Sequence, residues 1–202
     1  MTTLQKIYLP FKRIIGIFGS LIGILVCFVF LWWWVIPINV IVTKGHPFFV
    51  QKRLGKNKKI FNLIKFRSMR IDANPNLAPS DMDESRQQSM ETGFGKFLRT
   101  SSIDETLQLL NIFIGNMAFI GPRPGAAVNE EELIAAREKY NPNAYAVKPG
   151  LSGLAQVVMH REHNPEFKAK YDHEYVAKIS FFLDVKLFFM TILRIFGAAK
   201  GK

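Results

Sequence analysis

The stretch "SSIDETLQLLNIFIGNMAFIGPRP", residues 101–124, sets two adjacent carboxylates, Asp104 and Glu105, at the mouth of an apolar helix in a strongly basic chain. Leu107, Leu110 and Ile114 keep helical spacing, and Gly115 is the expected stop. Arg123 follows between Pro122 and Pro124, whose rings restrict the backbone on either side of it. Two readings of the acidic pair stand side by side. Ser102-Ile103-Asp104-Glu105 fits a capping box, with Ser102 as N-cap, Glu105 reaching back to its amide, and Asp104 facing the helix dipole. Alternatively the pair is a reaction centre. Lys65, Arg67, Lys96, Arg99 and Arg123 are near enough in sequence to hold a diphosphate beside it. A carboxylate at a helix start can attack phosphorus or ligate Mg²⁺. Phosphoryl transfer takes most of its catalysis from positioning and charge neutralisation.

Upstream, residues 14 to 43 carry no charge at all. The run is too long for a signal-peptide core, and no small-residue cleavage site follows it. A straight helix of that length measures roughly 45 Å against about 30 Å of hydrocarbon, so it must tilt, bend or turn back. Lys6, Lys12 and Arg13 precede it, and Lys44, Lys52, Arg53, Lys56, Lys58 and Lys59 follow it. Basic residues at both ends favour a re-entrant hairpin with its ends on one face of the bilayer, a single spanning helix being the alternative. Trp32, Trp33 and Trp34 read as an interfacial aromatic belt.

The 202 residues suit one ordinary domain beside this apolar segment. The net charge of +11 points to an anionic partner: a phospholipid surface, nucleic acid or a phosphate-rich substrate. Cys27 is the single cysteine, which excludes an intrachain disulfide and suits a reducing location. "PFFVQKRLGKNKKIFNLIKFRSM" (47–69) reads as two short strands around the turn "LGKNKK". Residues 70–95 are polar and read as a long loop. "NEEELIAAREKY" (129–140) is a helix with acidic start and basic end, "VKPGLSGLAQVV" (147–158) is strand-like, and the tail from Tyr171 reads as one long apolar helix. His160, His163 and His173 lack further metal ligands and read as surface histidines. "GFGKFLR" (93–99) has no Walker spacing, and no helix-turn-helix, RNP or zinc pattern accompanies "KRLGKNKK", so nucleic acid is not the expected partner.

Four blocks in order, "PFFVQKRLGKNKKIFNLIKFRSM", "GFGKFLRTSSIDETLQLLNIFIGNMAFIGPRP", "KPGLSGLAQV" and "KYDHEYVAKISFFLDVKLFFMTI", resemble the bacterial sugar transferase family, the monotopic phosphoglycosyl transferases. The resemblance runs from about Lys12 to Ile192. It implies an α+β fold: a helix-rich catalytic domain over 45–202 with a short β-hairpin and interfacial amphipathic helices, and a re-entrant membrane helix over 1–44. The implied reaction moves a sugar-1-phosphate from a UDP-sugar to polyprenol (undecaprenyl) phosphate at the inner, cytoplasmic membrane, the catalytic domain facing the cytoplasm. Asp104 matches the nucleophile, and Glu105 its partner, ligating Mg²⁺ or deprotonating the acceptor phosphate. Lys65, Arg67 and Arg99 match basic positions beside the dyad, and Arg123 a nucleotide-phosphate contact. Pro149, Gly150, Gly153 and Gln156 match a turn near the nucleotide. The chain departs from the family in three places. Val26 to Leu31 lacks the Ser-Pro of the re-entrant helix, Gly16 replaces an acidic residue, and Leu107 replaces a proline. The rival reading is a non-catalytic, membrane-associated partner in a glycan-assembly complex. An oligomer is left open.

Overall fold

The computed structural model describes residues 2–69, 91–127, 130–158 and 164–200. Helices dominate, with two small two-stranded sheets among the described residues. Helix α1 (Thr3–Cys27) runs through a π-helical stretch, Phe28–Trp32, into α2 (Trp33–Thr43), making one rod long and apolar enough to cross a membrane. Thr2 and Gln5 cap its start reciprocally. Its buried positions include Gln5, Gly16, Ser20, Cys27, Trp32, Val35, Asn39 and Thr43. These keep helical spacing except between Cys27 and Trp32, where one residue too many intervenes, and the wider π turn absorbs it. One stripe therefore faces the rest of the molecule from end to end. The rod does not reverse direction in mid-run, so a tight hairpin is not its shape. The π stretch overlaps the segment lacking Ser-Pro.

Strands β1 (Phe48–Leu54) and β2 (Ile60–Phe66) pair antiparallel around the expected turn, from Phe48 opposite Phe66 to Leu54 opposite Ile60. Residues 70–90 of the expected loop lie outside the described residues, as do His160 and His163. Gly93 to Gly95 are not loop, as read from sequence, but open α3 (Gly93–Thr100), capped by the Thr92 side chain. A Cβ on Gly95 would stand 1.9 Å from the Ser68 carbonyl oxygen, so this glycine serves close packing. Helix α4 (Gln108–Ile114) stops at Gly115 in the left-handed conformation, as expected. It is strapped to β2 by buried Asn111, which accepts from Ile64 N and donates to Asn62 O. On its other side it packs against α1, where Gly16 and Gly23 leave room for Ile112 and Leu109.

Strand β3 (Ala118–Ile120) pairs in parallel with β4 (Gly150–Ser152), and α5 (Glu131–Glu138) carries the expected charge asymmetry. Beyond β4 the chain turns helical at once in α6 (Leu154–Val158), so the strand-like reading of this segment holds for three residues only. The single tail helix is also corrected. It breaks at Ile179 and Ser180 into α7 (Pro165–Lys178) and α8 (Phe181–Lys200). Ser180 caps α8, its hydroxyl accepting from Leu183 N, and Asp184 favours the new N-terminus. Two apolar cores result. One gathers Cys27, Trp32, Phe66, Leu98, Leu107 and Ile112; the other gathers Ile120, Val147, Tyr175, Val176 and Leu187.

Candidate active site

Asp104 and Glu105 sit on a single 3₁₀ turn, Ile103–Glu105, between α3 and α4. The turn is entered through Ser102 at φ 58°, a left-handed conformation that a non-glycine residue adopts at a cost of about 1 kcal/mol or more. No side-chain cap hydrogen bond forms there among the described residues, so the capping-box reading is corrected: Ser102 is left-handed, not in the extended conformation that an N-cap takes. Thr106 braces the turn instead, donating to the Ile103 carbonyl and accepting from the Trp32 indole at 3.0 Å.

Asp104 is buried and Glu105 half-buried. Burial pushes the Asp104 carboxyl up to about 6; Glu105 beside it adds to the rise, and Lys65, Arg99 and Arg123 oppose it. Lys65 lies on the inward side of β2 with Phe61 and Leu63, by the two-residue period. Burial lowers its ammonium to about 8 against the pull of Asp104 and Glu105. Burial thus pushes both groups toward their neutral forms, the acid upward and the base downward, while each opposes the other's shift. Arg123 approaches Glu105 at 3.4 Å, and its side chain is largely exposed. Arg99 pairs with Glu91 at 2.8 Å and donates to Ser68.

The structure thus gathers Asp104, Glu105, Lys65, Arg99 and Arg123. Arg67 is not among the cations acting on Asp104; its guanidinium reaches the Phe48 carbonyl, and its buried Nε has no partner among the described residues. Pro149, Gly150 and Gly153 lie against the backbone that leads into Arg123. Pro149 O accepts from Ala118 N, and Gly150 N donates to Pro122 O at 2.9 Å. A Cβ on Gly150 would stand 2.1 Å from Gly121 N, and one on Gly153 2.0 Å from Gly121 O. Gln156 points its Oε1 into this packing, buried and without a hydrogen-bond partner among the described residues.

Two residues escaped the sequence reading. Arg137, 3% exposed, donates to Asp172 through Nε and Nη2 and to the Arg123 carbonyl at 2.9 Å. Arg53 reaches the neighbouring Pro124 carbonyl at 3.3 Å, while Leu54 N bonds Gly125 O. The loop that carries Arg123 is thus clamped by two guanidinium groups and an extended β1. In sequence Arg137 reads as a dipole-matching surface residue, and Arg53 as part of a solvated turn.

Among the described residues no group of three or more His, Cys, Asp or Glu gathers as a metal centre. Two hard carboxylates, one of them incompletely compensated in its buried place, do suit Mg²⁺. That ion typically takes one or two protein carboxylates and fills its shell with water and phosphate oxygens.

Residues 7–198 match the bacterial sugar transferase family, and the chain belongs to it. It is 36% identical over 160 residues to a UDP-glucose:undecaprenyl-phosphate glucose-1-phosphate transferase of Xanthomonas campestris pv. campestris, covering 76% of this chain and 32% of that one. A galactosyl transferase of Streptococcus agalactiae serotype III is 33% identical over 192 residues, 90% of this chain and 41% of the relative. An exopolysaccharide production protein of Rhizobium leguminosarum bv. phaseoli is 32% identical over 206 residues, 96% of this chain and 98% of the relative. The chain thus spans about a third to two fifths of the first two relatives and nearly all of the third. The long apolar rod, together with relatives named for transfer to undecaprenyl phosphate, suggests a membrane location.

Proposed function

We propose that the chain transfers a sugar-1-phosphate from a UDP-sugar to a polyprenol phosphate through a covalent intermediate on Asp104. The observation that carries this reading is a buried carboxylate set among Lys65, Arg99 and Arg123. The names of relatives that act on UDP-glucose and undecaprenyl phosphate support the choice of donor and acceptor. An Asp104 oxygen attacks the β-phosphorus of the donor, the bond to the bridging oxygen breaks, and its electron pair leaves with UMP. The result is an acyl-phosphate carrying the sugar. An oxygen of the lipid phosphate then attacks the same phosphorus. The bond to Asp104 breaks, restoring the carboxylate and releasing polyprenyl diphosphate sugar.

Lys65, Arg99 and Arg123 neutralise the charge that gathers on phosphate oxygens, the main electrostatic demand of such chemistry. Arg123, on a clamped backbone but with an exposed head, holds the diphosphate. Glu105 takes the acceptor's proton. Asp104 and Glu105 would together hold Mg²⁺, which supplies further charge neutralisation on the diphosphate. The catalytic face is turned to the cytoplasm, where nucleotide sugars are available.

The test is label transfer. Wild-type protein incubated with a UDP-sugar labelled in its sugar, without lipid acceptor, should retain label and release UMP. Mass mapping should find the adduct on Asp104, and Asp104→Asn should retain none. An adduct on another residue, or turnover by Asp104→Asn, would end this mechanism.

A further inference from the structure

Among the hydrophilic side chains in residues 14–43, Ser20 and Thr43 bond carbonyls of their own helix. Asn39 is different. Fully buried on α2, it donates through its amide to the Pro47 and Arg67 carbonyls, both at 3.0 Å. Two carbonyl acceptors settle which way the amide is turned, since the opposite flip would set its oxygen against both. Its Oδ1 has no hydrogen-bond partner among the described residues. Asparagine is a modest helix former, and a buried amide with an unmet oxygen lowers stability. The rod bears that cost for a contact made outside itself.

Pro47 and Arg67 flank the open end of the hairpin, and Arg67 N also donates to Pro47 O at 2.8 Å. Each lies two residues from the cross-strand pair Phe49 and Lys65, in which the ammonium stands 5.3 Å from the centre of the ring. One residue beyond Arg67, buried Ser68 accepts from Arg99 Nη2 at 3.2 Å through its hydroxyl and from Thr92 N through its carbonyl. Residues 65–68 therefore present one cation to the dyad and hold a second through a hydroxyl. Seven residues before Asn39 on the same rod, Trp32 holds Thr106 beside the two carboxylates. About two helical turns, roughly 10 Å, thus separate the anchor of the carboxylates from the anchor of the cations.

We propose that Asn39 and Ser68 are positioning residues of the transfer reaction, setting Lys65 and Arg99 against the diphosphate of the sugar nucleotide. This rests on the reading above, in which those cations meet the donor's phosphates. Each residue acts through another group: Asn39 through the backbone of residues 65–68, Ser68 through the Arg99 guanidinium. Phosphoryl transfer feels small displacements of such groups strongly, because positioning supplies most of its catalysis.

The experiment uses the full chain in a neutral detergent, read by calorimetric binding of UDP and by the kinetics of UMP release from a UDP-sugar. Asn39→Ala and Ser68→Ala should each bind UDP about five-fold more weakly and raise KM by the same factor, the equivalent of one lost hydrogen bond. Thr43→Val removes a buried hydroxyl that bonds only within the rod, and it should change neither. A fold that is merely weakened lowers the active fraction, and so kcat, and leaves KM as it was. Wild-type UDP affinity and KM in either alanine variant would overturn the proposal, whatever happens to kcat. Should Asn39→Ala fail to fold, Ser68→Ala, which leaves the rod untouched, decides. An adduct on Asp104 in the wild type, with both variants binding UDP normally, would remove the positioning roles alone. An adduct elsewhere, with UDP binding weakened in both, would remove the covalent mechanism and leave them standing.

Discussion

At Asp104 the needs of the fold and of the chemistry oppose each other. Its carboxyl rises from 3.8 to about 6 on folding, so the folded protein binds that proton more tightly than the unfolded chain. Stability from this group is complete below about pH 4 and is lost as the pH climbs through 6. At roughly 1.4 kcal/mol per unit the ionised side chain costs the fold up to about 3 kcal/mol. In metal-free detergent solution at pH 7.5, Asp104→Asn should therefore be the more stable protein by about 1–3 kcal/mol while catalytically dead. The gap should shrink at pH 5, and chemical denaturation at the two pH values measures it. Equal stability at pH 7.5 would mean that the nearby cations already compensate the burial. Ser102 offers a second check. Since its hydroxyl caps nothing, Ser102→Ala should change stability by less than about 0.5 kcal/mol, whereas loss of a true N-cap costs about 1 kcal/mol. Thermal melts separate the two.

Among the elements, the loop after β3 depends most on distant support. Arg137 binds Asp172 on α7 and the Arg123 carbonyl together. Arg137→Met should lose about 3–5 kcal/mol, because Asp172 is left buried and unpaired. Arg137→Met with Asp172→Leu should regain most of that stability. It should still show a raised KM for the UDP-sugar with a smaller effect on kcat, since the Arg123 backbone has lost its tether. Recovery of KM together with stability would reduce Arg137 to a scaffold residue. This pair also shows why part of the site was hidden in the sequence. Helix α4, its stop at Gly115, and the β-hairpin were legible, because each follows from local period and turn residues. The acidic dyad stood out for its place at a helix start in a basic chain. Arg137–Asp172 and Arg53–Pro124 span long loops, and no local pattern announces such partners. The break at Ser180 was readable in principle, as a serine four residues before Asp184, but the unbroken apolar run around it masks the cap.

The whole molecule is organised by its rod. Near one end Gln5 donates to the Ala177 carbonyl, and near the other Asn39 donates to the carbonyls of Pro47 and Arg67. Lys12 pairs with Asp184 at 2.6 Å, so a residue expected to mark membrane orientation also bolts α1 to α8. Both ends thus belong to one folded body, and they are expected on one side of the bilayer. The opposite side of the rod, with Phe18, Ile22, Leu25 and Phe30, is exposed and suited to lipid. In a Cys27→Ser background, Lys6→Cys and Lys44→Cys should both resist an impermeant maleimide in intact cells and both react once the membrane is opened. Opposite labelling would mean a spanning helix. The bond from Trp32 to Thr106 carries a consequence beyond topology. The apolar rod is linked in series with the turn that carries the two carboxylates. With the rod in a bilayer, as proposed, thickness and lateral pressure should act on the alignment of the dyad, and the solvent of the anchor would become a mechanical component of the catalyst.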